Sequence, residues 1–217
     1  MTERGSKMRK IRLAVFIIIN LILPFYIVSY SSANDIMLPT PLKDGGPDIL
    51  SAISKRSSAA RTSFANKELS LKELSTILWA ATGRNRPEKG WTVPMAMGRE
   101  PYITVYVLLK SGSYIYDWDK NMLKQLGNKN PIPRAGGEEF IGSAPCVFVL
   151  ATRGKGPGID SWADIAAGAM SQNIYLASEA FGLKTRFVAS FNKETLLNYL
   201  FIGPLSRIIC IMPIGFQ

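Results

Sequence analysis

The chain has 217 residues, 26 Lys and Arg against 16 Asp and Glu, and no histidine. That length carries one domain with a real core, and apolar residues at 47% with aromatics at 10% belong to a globular chain rather than a disordered one. The missing histidine excludes Ser-His-Asp and Cys-His nucleophile systems and any His-ligated metal site, and no metal is expected.

Arg4, Lys7, Arg9, Lys10 and Arg12 precede an apolar run, LAVFIIINLILPFYIV, from Leu13 to Val28. Ser31-Ser32-Ala33 follows, a small-residue site of the kind signal peptidase cuts. The run is shorter than the ~20 residues of a spanning helix, so residues 1–33 are predicted to be a cleaved export signal. An uncleaved anchor through residues 13–30 is the alternative. The protein is accordingly expected to be exported, periplasmic or extracellular, or else anchored to a membrane by that segment. Without residues 1–33, which hold five of the cations and one of the acids, 21 basic residues face 15 acidic ones, a net charge of +6. There is no basic run and no aromatic-spaced basic stripe, which points away from nucleic acid and leaves room for an anionic ligand.

Asn34–Pro47 is rich in Pro and Gly and reads as a linker. Asp48 is a predicted N-cap for a short helix beginning ILSAIS. Ser70-Leu-Lys-Glu73 has capping-box spacing, in which hydroxyl and carboxylate each satisfy an orphan amide. Leu71, Leu74, Ile77, Leu78 and Ala81 then line one helix face, with Trp79 also assigned to the core. Gly83 stands where a left-handed terminating residue is wanted. ITVYVLLK (Ile103–Lys110) and Tyr114–Asp117 flank a turn at Ser111-Gly112-Ser113 and form a predicted hairpin, with Tyr114 and Tyr116 as packing residues. CVFVLAT (Cys146–Thr152) has the composition of a buried strand. Ser161–Phe181 is a long alanine-rich helix ending at Gly182, carrying Gln172 and Asn173 as interface polar residues. Thr185–Ser190 is a strand, Lys193–Leu200 a helix and Arg207–Met212 a last strand. Helices and strands interleave, but the hairpin breaks any βαβ repeat, so an α+β three-layer domain is predicted.

Three motifs bear on chemistry. Arg153-Gly-Lys-Gly-Pro-Gly158 lacks the GxxxxGK[ST] spacing, and Pro157 removes an amide that would face a phosphate, so it reads as a surface loop. Cys146 and Cys210 lie far apart in apolar runs and read as buried free thiols. SKRSSAARTS (Ser54–Ser63) places two arginines and four serines just after a helix, a set of charged and hydroxyl donors suited to a dianion.

KRSSAARTSF, then LSLKELSTILWAATGRNRPEKGWTVP, then ITVYVLLKSGSYIYDWDKNML, resembles the nitroreductase family in order and spacing. Further on, MSQNIYLASEAFGLKTRFVASFNKETL is similar to the family's long core helix and the strand after it, and IMPIGF to its closing segment. The likeness spans residues 48–217 and is nearest to the SagB/ThcOx-like flavin oxidoreductases in their short, single-domain form. It implies a nitroreductase-like fold, a mixed central sheet flanked by helices, in a homodimer that binds FMN at the subunit interface. It also implies a hydride cycle of ping-pong type from a reduced nicotinamide, NAD(P)H, or a similar donor to a small-molecule acceptor. By match, Arg56, Ser57 or Ser58, and Arg61 serve the FMN phosphate. Pro94, Met95, Ala96 and Gly98 lie along the flavin edge, and Ala189 and Ser190 pass backbone beneath its other side. The chain departs from the family in three places. Two residues rather than one separate the Ser pair from Arg61, Met95 stands for a usual serine, and Ala189-Ser190 for an acidic-Gly pair. A catalytically silent flavin-binding or interaction protein on the same fold is the rival reading.

Overall fold

The computed structural model of the chain describes residues 34–86, 88, 90–94, 102–154 and 159–217. The basic and apolar N-terminal segment, Met95, Ala96, Gly98 and residues 155–158 of the glycine-rich loop lie outside the described residues. In chain order the elements are β1 (Ile36–Met37), α1 (Ile49–Lys55), α2 (Leu71–Thr82), β2 (Arg84–Arg86), β3 (Gly90–Trp91), β4 (Ile103–Leu109), β5 (Gly112–Asp117) and β6 (Met122–Gly127). A 3-10 turn (Ile132–Arg134) is followed by α3 (Glu139–Ser143), β7 (Cys146–Thr152), α4 (Ile159–Ala180), β8 (Lys184–Thr185), α5 (Lys193–Tyr199) and β9 (Ile208–Gly215).

Seven strands form one sheet in the order β1-β6-β5-β4-β7-β9-β8. Its ladders are antiparallel, and one parallel bridge, Ser58–Thr185, supplies the mixed pairing. Strand β7 is buried along its whole length because both faces of the sheet are covered, as its unbroken apolar sequence requires. Cys146, Phe148 and Leu150 face α2 and α4, while Val147, Val149 and Ala151 face α3 and α5. The three-layer α+β expectation holds. A bulge where Leu150 pairs Cys210 and Ala151 pairs Ile208 shifts the alternation of β9. Ile208 therefore joins Ile211 on the α3/α5 side while Cys210, Met212 and Ile214 stay on the other. Both cysteines are free and buried. Burial pushes the Cys146 thiol well above its ordinary range and the Cys210 thiol up to about 12, against the lowering pull of a hydrogen bond with Ser171; neither is a thiolate nucleophile.

The local start signals act as read. Asp48 accepts from the Ser51 amide at 2.9 Å. Ser70 Oγ accepts from the Glu73 amide at 3.2 Å while Glu73 Oε2 accepts from the Ser70 amide at 2.7 Å. Ser70→Ala should lower stability by about 1 kcal/mol, measurable as a reduced urea midpoint with an unchanged m-value. Gly182 is left-handed, φ +68°. Leu183 N–H donates to the Ser178 carbonyl and Gly182 N–H to that of Glu179, the Schellman pattern.

Other expectations are corrected. Gly83 is extended, φ −84°, not left-handed. Glycine is required there because a Cβ would strike the Trp79 indole and carbonyl oxygen. Leu71 is 46% exposed, and Trp79 is half-buried at the surface, its indole N–H donating to the Arg84 carbonyl. The hairpin is tighter than read: Leu109 pairs Gly112, so Ser113 already belongs to a strand. Thr185–Ser190 is strand only at Lys184–Thr185, with a further bridge from Val188 to Ile211. The last strand runs on to Gly215. Residues 34–47 do more than connect, since Ile36 and Met37 pair with β6. Asn121, at φ +48°, donates through Nδ2 to the carbonyls of Leu38 and Pro39 and accepts from Tyr116 Oη. A short amide side chain tolerates that backbone conformation, and its hydrogen bonds tie the β5–β6 turn to the segment after β1.

Candidate functional site

Three loops gather along α4, and two side chains of that helix fasten them. The first loop begins at Arg56, which caps α1 with its amide on the Ala52 carbonyl. The Arg56 guanidinium lies over the Tyr175 ring, 5.2 Å from its centroid. Ser57 is exposed. Ser58 Oγ and Tyr175 Oη are 3.1 Å apart, and Tyr175 Oη also accepts from the Phe187 amide at 2.8 Å. One phenol thus joins a residue 117 positions before it to another 12 positions after it. The backbone reinforces the link: Ala59 N–H donates to the Thr185 carbonyl at 2.8 Å, and Arg186 Nε donates to the Ala59 carbonyl at 2.7 Å. Ala189 and Ser190, both exposed, follow directly from the Val188–Ile211 bridge. The structure therefore brings together the Arg56–Ser58 loop and the 185–190 segment.

The third loop is held by Asn173, whose Nδ2 donates to the carbonyls of Ala80 (2.9 Å) and Thr92 (3.0 Å). Thr92 N–H in turn donates to the Gly83 carbonyl, Val93 is buried and Pro94 is exposed. So Asn173 orders the approach to Pro94 within this chain, whereas Gln172 beside it is exposed. Met95, Ala96 and Gly98 come next and lie outside the described residues.

Arg61 is set apart from Arg56. Its guanidinium reaches Glu138 at 3.5 Å, with side chains 69% and 38% exposed, a pair too solvated to contribute much. Arg56 has no carboxylate partner among the described residues. A cation held by a π face keeps its five N–H donors available for an anion. Thr185 Oγ1 and Ser178 Oγ are buried without a partner among the described residues, and Thr185 is the residue that pairs with Ser58.

Sequence reasoning missed Tyr175, Arg186 and Asn173. The signal for Tyr175 was present: it is a buried aromatic in a helix whose inner face also carries Ala163, Ala166 and Ala167. Those alanines pack under this chain's own sheet and let α4 approach it closely.

A separate cavity of about 220 Å3 opens in the sheet itself. The β4–β5 ladder stops at Tyr106–Ile115, although β4 stays paired to β7 as far as Ile103 and β5 to β6 as far as Asp117. The strands splay there. The gap is lined by Ile103–Val105 and Tyr116–Trp118, with the unpartnered Thr82 hydroxyl and the Asp117–Lys124 ion pair of 2.6 Å. None of its lining residues belongs to the loops fastened by Tyr175.

The model of the nitroreductase family matches residues 53–216. A candidate nitroreductase of Methanocaldococcus jannaschii, MJ1384, is 28% identical over 172 residues, 70% of this chain and 83% of that protein. The crystal structure of a candidate nitroreductase from Ralstonia eutropha JMP134 superposes with a TM-score of 0.76 at 29% identity, covering 84% of this chain and 89% of the other. An FMN-dependent nitroreductase from Clostridium difficile R20291 shares the fold at a TM-score of 0.54 and 18% identity, over 78% and 87% of the two chains.

Proposed function

Because the chain belongs to the nitroreductase family, we propose that it is an FMN-dependent oxidoreductase of SagB/ThcOx-like type, gripping the cofactor phosphate with the Arg56–Ser58 loop. The observation that carries this reading is the Tyr175 junction. It gathers Arg56, Ser58 and Phe187 about one phenol and leaves the Arg56 guanidinium without a carboxylate among the described residues. That donor set fits a phosphomonoester: a planar cation for two oxygens and the exposed Ser57 hydroxyl for a third. When bound, FMN supplies the hydride chemistry. The chain's own task is to hold and orient it. Arg56 and Ser57 anchor the phosphate, with Arg186 adding positive potential from the Ala59 side of the loop. Backbone at Ala189, Ser190 and Pro94 would flank the ring. Arg61, turned to Glu138, stands outside the grip.

The reductant in this reading is NAD(P)H or a similar donor, and the acceptor a small molecule that enters after the donor has left. Initial rates with NADH and a quinone or nitroaromatic acceptor should then give parallel double-reciprocal lines. Intersecting lines would replace the ping-pong order by a ternary complex.

Homodimerisation belongs to the same proposal. Trp162 and Ile165 on α4 and Ile49, Leu50 and Ile53 on α1 are large apolar side chains between 49% and 74% exposed, a surface suited to a second copy. Ile165→Arg should leave a lone chain folded but shift the sedimentation boundary from dimer toward monomer, since a charge buried at an interface without a partner is costly. A wild-type monomer at micromolar concentration with FMN present would remove this part. Export by cleavage near Asn34, or anchoring through residues 13–30, is the accompanying proposal on location; the intact mass of the protein from the producing cell decides between them.

A further inference from the structure

The loop that carries Arg56 and Arg61 has a second fastening, independent of Tyr175. Gln217, 157 positions beyond Ala60, places its side-chain amide against three backbone groups of the loop. Its Oε1 accepts from the Ala60 amide at 2.8 Å, and its Nε2 donates to the carbonyls of Ala60 (3.2 Å) and Thr62 (2.8 Å). A carboxamide offers two N–H donors and a carbonyl acceptor, and here each of these functions is used. The groups it holds belong to the residues on either side of Arg61. The preceding residue continues the contact: the Ala65 amide donates to the Phe216 carbonyl at 2.9 Å, and the Lys67 ammonium lies 3.7 Å from the Phe216 ring centroid. Residues 216–217 thus run beside 60–67 like a short strand, with a side chain taking over from the backbone at its end.

The arrangement depends on the identity of the side chain. Alanine at 217 would keep the Phe216 contact and lose all three side-chain bonds. Glutamate would keep an acceptor for the Ala60 amide but face two carbonyl oxygens with a carboxylate. Nor does the exposed Arg61–Glu138 pair have the strength to order the loop in its place.

We infer that Gln217 is a positioning residue for the phosphate loop: its amide fixes the chain around Arg61 and so holds the Arg56–Ser58 donors in the shape that receives a phosphomonoester. This rests on the reading of that loop as the FMN phosphate grip. A loop that must be ordered on binding loses affinity through the entropy of ordering, so the consequence falls on the phosphorylated ligand alone.

The test uses the full chain as wild type, Gln217→Ala and Gln217→Glu. Gln217 is exposed, so all three should fold, as checked by circular dichroism. Without ligand, hydrogen exchange across residues 59–65 should be faster in Gln217→Ala by about tenfold, as expected when a local hydrogen-bonded closure is lost. Gln217→Glu should lie between it and wild type. Affinity for FMN should fall roughly three- to tenfold in Gln217→Ala, while affinity for riboflavin, which lacks the phosphate, stays the same. Unchanged exchange in Gln217→Ala would overturn the clasp. Faster exchange with unchanged FMN affinity would overturn the positioning role. If the wild type takes up no FMN, the reading of the loop itself fails and the positioning role goes with it, a result distinct from either of the others because it appears before any substitution is made.

Discussion

Replacing Arg56 by alanine should weaken FMN binding by about 1.5–3 kcal/mol, the worth of a hydrogen bond to a charged group, or roughly ten- to a hundredfold in Kd. Riboflavin should bind wild type and variant almost equally, because the lost donors are the ones proposed to grip the phosphate. Arg61→Ala is the internal comparison. Its guanidinium is engaged with Glu138, so its removal should barely move FMN affinity. Titration by flavin fluorescence quenching checks all three proteins. Equal FMN affinity in wild type and Arg56→Ala, with the fold intact, would make the loop ordinary solvated surface.

Tyr175→Phe should destabilise the fold by about 0.5–1.5 kcal/mol, since it removes the acceptor of the part-buried Phe187 amide. For a chain of this size that corresponds to roughly 2–4 °C in Tm per kcal/mol. The ring remains, so the contact beneath Arg56 remains. FMN affinity should therefore fall less than in Arg56→Ala, and exchange at residues 56–59 and 185–188 should quicken together. That joint response is the signature of a shared fastening. If only one of the two segments loosens, Tyr175 does not couple them.

What could be read from the sequence was mostly local. Ser70 and Glu73 lie three residues apart and satisfy each other's backbone, so the start of α2 was legible from four letters. The end of α4 at Gly182 was legible for the same reason. Gly83 shows the limit: a helix-ending glycine was expected to be left-handed, but its requirement comes from the Trp79 side chain folding back over it. Strand β6, MLKQLG, went unread because it carries no β-branched residue, and its place comes from pairing with β5 on one side and β1 on the other.

The candidate site divides along the same line. The arginines and serines of residues 54–63 announced a donor-rich loop, but not which arginine points where. Arg61 turns toward Glu138, and Arg56 lies over Tyr175. Both partners are remote in sequence, as are Gln217 and Asn173 from the loops they hold. The alanines of α4 give it little side-chain bulk, so backbone or another helix can approach closely. In the fold, Ala163, Ala166 and Ala167 are buried under the chain's own sheet, and the exposed apolar residues are Trp162 and Ile165. Small side chains announce a close approach without saying to what.

The central claim is that this chain holds FMN and turns it over. The most direct measurement is an anaerobic titration of the purified full chain with FMN, followed in the visible flavin bands, and then with NADH and dithionite. Saturable, equimolar uptake with perturbed flavin bands is expected, with bleaching of those bands by NADH as well as by dithionite. A folded protein that leaves the flavin spectrum unperturbed would contradict it outright. Uptake of FMN that only dithionite can bleach would contradict the claim that NADH is a donor and leave a flavin-binding protein on this fold.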